Sequence, residues 1–316
     1  MAGKEFKTYN QQLKILRSRG LDVPTNGIPK RILEKENYYN VINGYKELFI
    51  SVPKTATTEE QYKVGASFSE IYALYKFDSE LRMIFLKRIL RVENHIKSAI
   101  AYEFSKKYGH DNYLKMANFD LVPGNNNSMK RIIELIRNLQ GDIAKQVVKH
   151  NSIRHYMSEY GYVPLWVLMN IVTFGTVSIF YDLMKQADRQ NISKRYGISD
   201  ESLGKILGVL TLCRNKCAHD ERLYDFISPK ISITDNPIHT RLSIPTGPRG
   251  AVYGKNDLFA NVITLKILLS KSDFSKMAAK IKKAIEVLSR ELSVITINDI
   301  LKKMGFPNNW YDIVNV

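Results

Sequence analysis

The chain of 316 residues carries 47 lysines and arginines against 31 aspartates and glutamates, a formal net charge of +16 at pH 7. This charge favours polyanionic partners such as nucleic acid, although a merely soluble basic surface would have the same composition. Two cysteines exclude a disulfide framework, and the lack of a Walker or dinucleotide-binding glycine pattern argues against ATP or NAD as a cofactor.

Helical periodicity dominates the chain and sustained strand alternation is scarce, so the sequence predicts an all-α fold. The predicted helices span 8–19, 28–36, 59–75, 77–107, 128–148, 164–172, 176–187, 200–226, 257–268, 275–292 and 296–304. They group into an N-terminal helical extension over 1–58, a helical core over 59–227, an irregular basic loop over 228–256 and a C-terminal helical region over 257–316.

The predicted helix over 77–107 sets basic residues among its apolar stripe, at Lys87, Arg88, Arg91 and Lys97. Such a run of charge is either a solvated face or a surface for RNA. Arg88 and His95 also fit a loose arginine–histidine spacing, but their surroundings are typical of an ordinary amphipathic helix.

The segment over 160–181 contains no charged residue and approaches the ~20 residues that span a bilayer. Pro164, Gly175 and several polar residues interrupt it, which favours two short core helices joined at 173–176. The N-terminus lacks the apolar run of a secretory signal. We therefore expect a cytoplasmic protein that does not enter the membrane.

The stretch from Arg214 to His219, Arg-Asn-Lys-Cys-Ala-His, is the part of the sequence that indicates a chemistry. An arginine can hold a phosphate, and an imidazole can move a proton near neutral pH. On a helix over 200–226, the spacing places Asn215, His219 and Arg222 on one polar face. Arg214 lies about 140° from His219 around the helix axis. Either the helix is distorted there, or two copies of the motif assemble one site.

A purely structural role is the alternative for these polar side chains, which would then hydrogen-bond helices together. Cys213 and Cys217 lie one turn apart on the apolar stripe, where buried thiols are expected rather than a metal pair. No His/Cys cluster has the ligand spacing of a zinc site, so no metal is expected.

The loop over 228–256 is rich in Pro, Gly, Ser and Thr, with possible short strands at 231–233 and 242–244. It carries Lys230, Arg241 and Arg249 directly after the motif helix. A loop of this length forms either a wall or lid for bound RNA or a plain linker.

The motif, followed by Arg222 and an aromatic residue, resembles the signature of the HEPN superfamily. In detail the chain is similar to the AbiD/AbiF-type abortive-infection proteins of bacteria, and the similarity covers most of its length. Segments that carry the resemblance lie, in order, at 13–21, Tyr38-Tyr39 with Gly44-Tyr45, Asp78-x-x-Leu81-Arg82, Glu93 with Lys97, Tyr108-Gly109 with Tyr113-Leu114, and 164–166 leading to 173–176.

The resemblance implies an all-α, HEPN-like helical bundle and a metal-independent endoribonuclease of antiphage defence. HEPN nucleases pair two motifs, so a homodimer is implied. Relatives of the AbiF type are associated with small non-coding RNAs, which implies an RNA partner or inhibitor that could hold one chain alone. The alternative function is a non-catalytic RNA-binding module, or a toxin held by a non-coding RNA, that acts by occupancy.

In the predicted reaction the 2′-hydroxyl of RNA attacks the adjacent phosphodiester, with His219 as general acid or base. Arg214 neutralises charge on the phosphate and Asn215 orients the histidine or the phosphate. Glu93, Asp220 and Arg222 are the expected supporting residues; Glu93 would brace Arg214 or His219 if its helix packs beside 200–226. The expected RNA contacts are Lys87, Arg88, Arg91, Lys97, Lys216, Lys230, Arg241 and Arg249.

Overall fold

The computed structural model describes residues 5–122 and 124–316, and it is all-α as the periodicity predicts. The first four residues of the predicted N-terminal extension lie outside the described residues. The helices are α1 Tyr9–Ser18, α2 Ile28–Lys35, α3 Phe68–Tyr108, α4 Asn126–Gln146, α5 Asn151–Tyr160, α6 Leu165–Leu168, α7 Phe174–Leu183, α8 Gln186–Ser193, α9 Asp200–Ala218, α10 Pro237–Arg241, α11 Leu258–Leu268, α12 Lys271–Ser289 and α13 Ile297–Met304.

Two small antiparallel hairpins accompany the helices: β1 Ile50–Val52 pairs with β2 Gln61–Tyr62, and β3 Thr246–Gly247 pairs with β4 Gly250–Ala251. A π-helical turn, Tyr39–Asn43, precedes the first hairpin. The strands predicted at 231–233 and 242–244 do not form; α10 ends just before the second region, with Leu242 as its C-cap. The second hairpin lies a few residues later.

The long helix α3 replaces the two helices predicted over 59–75 and 77–107. Ser67 begins it with a capping box to Glu70, and Gly109 ends it in a left-handed conformation with φ of 90°. Residues before Ser67 instead form β2 and a turn, so the predicted start at 59 is wrong. Because the apolar stripe continues without a break, α3 passes through the protein as one scaffold for α6, α9 and α12.

Helix α9 packs against α3, α7, α8 and α11, and its buried apolar residues include Leu203, Leu207 and Leu210. It ends at Ala218, so the predicted helix over 200–226 is wrong in its last eight residues. His219 is the C-cap, and Asp220 adopts a positive φ of 57°, which breaks the helical path. Arg222 consequently lies in the following loop, and it does not share a helical face with Asn215 and His219.

The uncharged segment over 160–181 is split into α6 and α7, which begin after Pro164 and Thr173 respectively. Within the described residues, no helix is both long enough and apolar enough to cross a bilayer. The sequence did not predict α5 or α8. Helix α8 is largely polar and is stabilised by its packing on α9 and α3, a tertiary contribution that periodicity does not reveal.

The loop over 228–256 folds back so that hydrogen bonds join its first residues to its last, next to the C-terminal region. Ser228 donates its backbone N–H to Asn256 at 2.7 Å, and Ile233 donates to Lys255 at 2.9 Å. The buried His239 ring bonds to the carbonyl of Gly254 at 3.0 Å. Helix α12 packs on α3 and α11 packs on α9, so one hydrophobic core includes residues from Leu16 to Ile313.

Candidate active site

His219 stands at the end of α9 with its side chain exposed. It borders a groove of about 740 Å³ that we name the His219 groove; its walls include Tyr39, Tyr75, Lys216, Asp220 and Arg222. The backbone N–H of His219 donates to the carbonyl of Asn215 at 3.0 Å. The backbone of His219 is therefore fixed at the helix terminus, and its exposed side chain lines a polar groove.

A buried carboxylate, Asp78 of α3, fixes the chain that follows His219. It accepts hydrogen bonds from the backbone N–H groups of Leu223, at 3.0 Å, and Tyr224, at 2.5 Å. The Tyr45 hydroxyl donates to it at 2.6 Å, and Arg82 forms an ion pair with it at 2.6 Å. Because these donors satisfy both oxygens, the turn after α9 has one well-defined position.

Arg82 extends this arrangement to the motif itself. Its second terminal nitrogen lies 2.6 Å from the carboxylate of Asp220, the residue next to His219. Burial raises the pKa of Asp78, while the hydrogen bonds from Tyr45 and Leu223 and the charge of Arg82 oppose that rise. The series Asp78–Arg82–Asp220 therefore connects the interior of α3 to the edge of the His219 groove.

Sequence reasoning placed Tyr45, Asp78 and Arg82 in segments of family resemblance without assigning them a role. The sequence does contain a pattern that indicates such a role. Asp78 and Arg82 lie four residues apart on a stretch of α3 whose other inward-facing residues are apolar. A charged pair at that spacing on a core face is expected to have a buried partner elsewhere in the chain.

Arg222 holds the loop from the other side. It forms a two-point ion pair with Asp225, at 2.8 and 2.5 Å, and donates to the carbonyl of Gly44 at 2.5 Å. Its guanidinium lies over the ring of Tyr224, with 5.8 Å to the centroid. These contacts join the post-α9 loop to the π-helical turn, so Arg222 lines the groove with its charge already paired.

Arg214 points toward α3, where its Nε lies 3.8 Å from Oε2 of the buried Glu93. Lys97 binds the other oxygen of Glu93 at 2.7 Å. Helix 77–107 thus does pack beside the motif helix, and Glu93 faces Arg214 at the outer limit of ion-pair distance, whereas His219 belongs to the separate His219 groove. Within the described residues, Arg214 Nε and Glu93 Oε2 have no hydrogen-bond partner. Asn215 is exposed on the same turn of α9.

The residues predicted to contact RNA are not brought together as one surface. Arg88 is buried and pairs with Asp273 of α12 at 2.9 Å, so its expected role on an RNA-binding face is corrected to a structural one. Arg91 binds the same carboxylate, although 51% of its side chain is exposed. Only Lys216 of the set borders the His219 groove, where it lies 3.5 Å from Glu221. Four remain exposed away from that groove, namely Lys87, Lys230, Arg241 and Arg249.

Cys213 and Cys217 are buried thiols on the face of α9 that meets the core. Burial raises the pKa of the Cys213 thiol well above its usual value, which keeps it protonated and unreactive at neutral pH. Among residues 5–122 and 124–316, no group of three or more His, Cys, Asp or Glu side chains is arranged to hold a metal ion.

Comparison with known proteins gives one family match. No curated protein and no solved structure matches the chain. The model of the family described as Abi-like protein matches residues 31–225, well over half of the chain. The matched region contains Tyr45, Asp78, Glu93 and the motif through Tyr224, and therefore both the groove and its supporting contacts. The chain accordingly belongs to the Abi-like protein family, an abortive-infection family of antiviral defence.

Proposed function

We propose that the protein is a metal-independent endoribonuclease that acts in antiphage abortive infection. The observation that carries this proposal is His219, an exposed imidazole on a turn fixed by buried contacts, at the edge of a polar groove. A histidine held in this way can transfer protons near neutral pH at a defined position. The resemblance of the motif to the HEPN superfamily, and of the wider pattern to AbiD/AbiF-type proteins, supports the same chemistry.

In the proposed reaction, the 2′-hydroxyl oxygen of one nucleotide attacks the adjacent phosphorus. A bond forms between phosphorus and the 2′ oxygen, and the bond to the 5′ oxygen of the next nucleotide breaks. One imidazole accepts the proton of the attacking hydroxyl, and a second proton donor protonates the departing oxygen. Arg214 neutralises charge on the non-bridging oxygens, and Asn215 orients the phosphate. DNA lacks the attacking hydroxyl and is not cleaved.

The arrangement of the motif favours a cleft shared by two copies of the chain. Helix α9 is regular through Ala218, so local distortion does not bring Arg214 round to His219. Within one chain, Arg214 lies against Glu93 while His219 borders the groove. A two-fold axis beside the C-terminal end of α9 would bring an arginine and a histidine of different protomers to one phosphate.

Cleavage of a labelled RNA by purified variants tests the chemistry. We expect His219→Ala and Arg214→Ala each to lower the cleavage rate by about 10²–10⁴, the usual loss for a well-placed proton-transfer or charge-stabilising group. His150→Ala, which removes another exposed histidine at the start of α5, is the matched control and should cleave normally. A folded His219→Ala protein that cuts RNA as fast as wild type would exclude the mechanism. Growth inhibition that survives both motif substitutions would instead favour action by occupancy.

Mixing the two inactive variants tests the shared cleft. After the subunits re-equilibrate, about half of the dimers combine one Arg214→Ala chain with one His219→Ala chain. Those dimers retain one intact arginine and one intact histidine across the two-fold axis, so cleavage should reappear. A mixture as inactive as its two components, with subunit exchange demonstrated by differently tagged chains, would show that the residues act within a single chain.

A further inference from the structure

A continuous row of aromatic rings crosses the surface beside α3, at some distance in sequence from the motif. Neighbouring ring centroids are 5.0 to 6.2 Å apart along the series His155, Tyr160, Tyr162, His110 and Trp166. Half of the Trp166 side chain and 57% of Tyr160 are exposed. Large apolar rings exposed side by side usually mark a surface that binds something.

This row leads into a second groove of about 740 Å³, which we name the α3–α6 groove. Its lining includes Lys97, Tyr102, Lys106, His110, Trp166 and Asn170. Tyr102 is 59% exposed, and the side-chain cations of Lys106 and Arg195 each lie 5.9 Å from its ring centroid. Of the two lysines that line the groove, Lys97 is paired with Glu93, whereas Lys106 has no ion-pair partner among the described residues. The groove therefore combines flat rings with positive charge.

Hydrogen bonds hold His110, Tyr162 and the turn before Trp166 in place. His110 bonds through Nε2 to the hydroxyl of Tyr162 at 2.8 Å, and its carbonyl accepts the backbone N–H of Leu165 at 2.9 Å. Tyr113 donates its hydroxyl to the carbonyl of Val163 at 2.7 Å and so anchors the turn between Tyr162 and Trp166. The backbone that carries Trp166 is therefore fixed, and a ligand that stacks there would not need to order this turn first, which favours binding.

We propose that the α3–α6 groove binds single-stranded RNA, with bases stacked on Trp166 and Tyr102 and phosphates held by Lys106. Stacking platforms set in a positively charged groove are the usual means of holding a single strand without sequence preference. The net charge of +16 favours a polyanion over an apolar peptide. The choice of RNA over single-stranded DNA rests on the function proposed above.

One side chain, that of Lys97, connects the groove to the motif. Lys97 lines the groove and also binds Glu93 at 2.7 Å, and Glu93 lies 3.8 Å from Arg214. The groove and the arginine of the motif are therefore linked through one buried carboxylate. This placement assigns the groove to positioning the RNA and leaves the chemistry to the motif.

Binding of a 16-nucleotide fluorescein-labelled RNA without secondary structure, followed by fluorescence anisotropy, tests this assignment. All variants are made in the His219→Ala protein so that cleavage does not interfere. We expect Trp166→Ala and Tyr102→Ala each to weaken binding about tenfold, the loss typical of one stacked base, and Trp166→Phe to retain most of the affinity. Tyr9→Ala, which removes an exposed ring from α1, is the matched control and should bind normally.

Lys106→Gln should reduce the dependence of affinity on salt, while Lys276→Gln, an exposed lysine of α12, should leave that dependence unchanged. A blunt-ended duplex of the same sequence keeps its bases stacked internally, so its binding should not respond to Trp166→Ala. Unchanged single-strand affinity in both Trp166→Ala and Tyr102→Ala would overturn the proposal, as would an equal loss for the duplex. If Trp166→Ala does not fold, Trp166→Phe and Tyr102→Ala still decide the result.

The readouts separate this site from the proposed nuclease activity. In a protein with native His219, groove variants should raise KM and leave kcat unchanged, whereas His219→Ala should lower kcat and leave RNA affinity unchanged. A wild-type protein that binds RNA through Trp166 but never cleaves it would refute the nuclease and retain the groove. A protein that cleaves RNA with no contribution from Trp166 or Tyr102 would refute the groove as an RNA-binding site and retain the nuclease.

Discussion

At the scale of single residues, the geometry beside His219 depends on a carboxylate that is not part of the motif. Asp78 is fully buried and accepts from the backbone of Leu223 and Tyr224 while pairing with Arg82. A group with so many buried partners cannot be removed without leaving several of them unpaired. The motif turn therefore depends on a residue more than a hundred positions earlier in the chain.

We expect Asp78→Ala to lower the free energy of unfolding by about 3–5 kcal/mol, because it leaves the buried Arg82 guanidinium and two N–H groups without their acceptor. Urea denaturation monitored by circular dichroism measures this change. Asp220→Asn removes the other, exposed partner of Arg82 and should cost less than about 1 kcal/mol because solvent screens that pair. Equal effects of the two substitutions would contradict the assignment of Asp78 as the anchor of the turn.

Glu93 is a positioning residue for Arg214 if the proposed function holds. Glu93→Gln keeps the size of the side chain but removes the charge that faces Arg214 and Lys97. We expect kcat for RNA cleavage to fall roughly ten- to a hundredfold as the arginine loses its preferred position, with KM nearly unchanged. Glu80→Gln, an exposed glutamate of the same helix, should have no effect. A change in stability without a change in kcat would show that Glu93 has a structural role only.

At the scale of elements, α3 connects three parts of the chain that are distant in sequence. Its first turn binds the segment before α13, its middle fixes the turn after α9, and Glu93 meets the motif helix. Glu70 accepts the backbone N–H groups of Ser293 at 2.7 Å and Val294 at 2.9 Å. The cap of α3 is thus also an attachment point for the C-terminal region.

Two substitutions at the start of α3 should separate these roles. Ser67→Ala removes the helix cap and should cost about 1 kcal/mol. Glu70→Ala also leaves the N–H groups of Ser293 and Val294 without an acceptor, so we expect a loss of about 2–4 kcal/mol. Thermal and urea unfolding of both variants measures the difference. Losses of equal size would mean that water replaces Glu70 at the C-terminal segment.

At the scale of the whole molecule, Asp257 joins the loop over 228–256 to the C-terminal helices. Its carboxylate accepts from the backbone of Gly254 and of Ala260, both at 2.9 Å, and caps α11. Burial raises the pKa of Asp257 to about 6, and the backbone hydrogen bonds only partly oppose that rise. Because the folded state holds the proton more tightly than the unfolded state, this group stabilises the fold at low pH and loses that contribution as pH rises toward 6.

The raised pKa of Asp257 predicts how the stability of the Asp257→Asn variant compares with that of wild type at different pH values. Asparagine does not titrate, so from about pH 4.5 to about pH 7.5 the free energy of unfolding of the variant should rise relative to that of wild type by about 2 kcal/mol. Parallel urea titrations at the two pH values give this difference directly, and other titrating groups cancel in the comparison. A constant difference across the range would show that Asp257 has an ordinary pKa in the folded protein.

The predicted and observed elements differ for physical reasons that particular residues illustrate. Helices α1, α2, α11 and α13 lie close to their predicted ranges because each has an apolar face, a capping residue or both in local sequence. Helix α9 ends eight residues earlier than predicted because Asp78, distant in sequence, takes the N–H groups that a longer helix would have used. Helix α8 was missed because its residues are mostly polar.

The sequence by itself determined the all-α class, the abortive-infection family and the arginine–histidine motif, because periodicity and motif spacing are local properties of the chain. It also offered Glu93 as a neighbour of Arg214 or His219 on the condition that the two helices pack together, and the structure places it beside Arg214. Only the tertiary structure decided which charged side chains are paired: Arg88 pairs with Asp273, and Arg222 pairs with Asp225. It also decided that Trp166 joins a row of rings on the surface. Ion pairs and ring contacts between distant residues depend on how helices pack, and no local pattern encodes that packing.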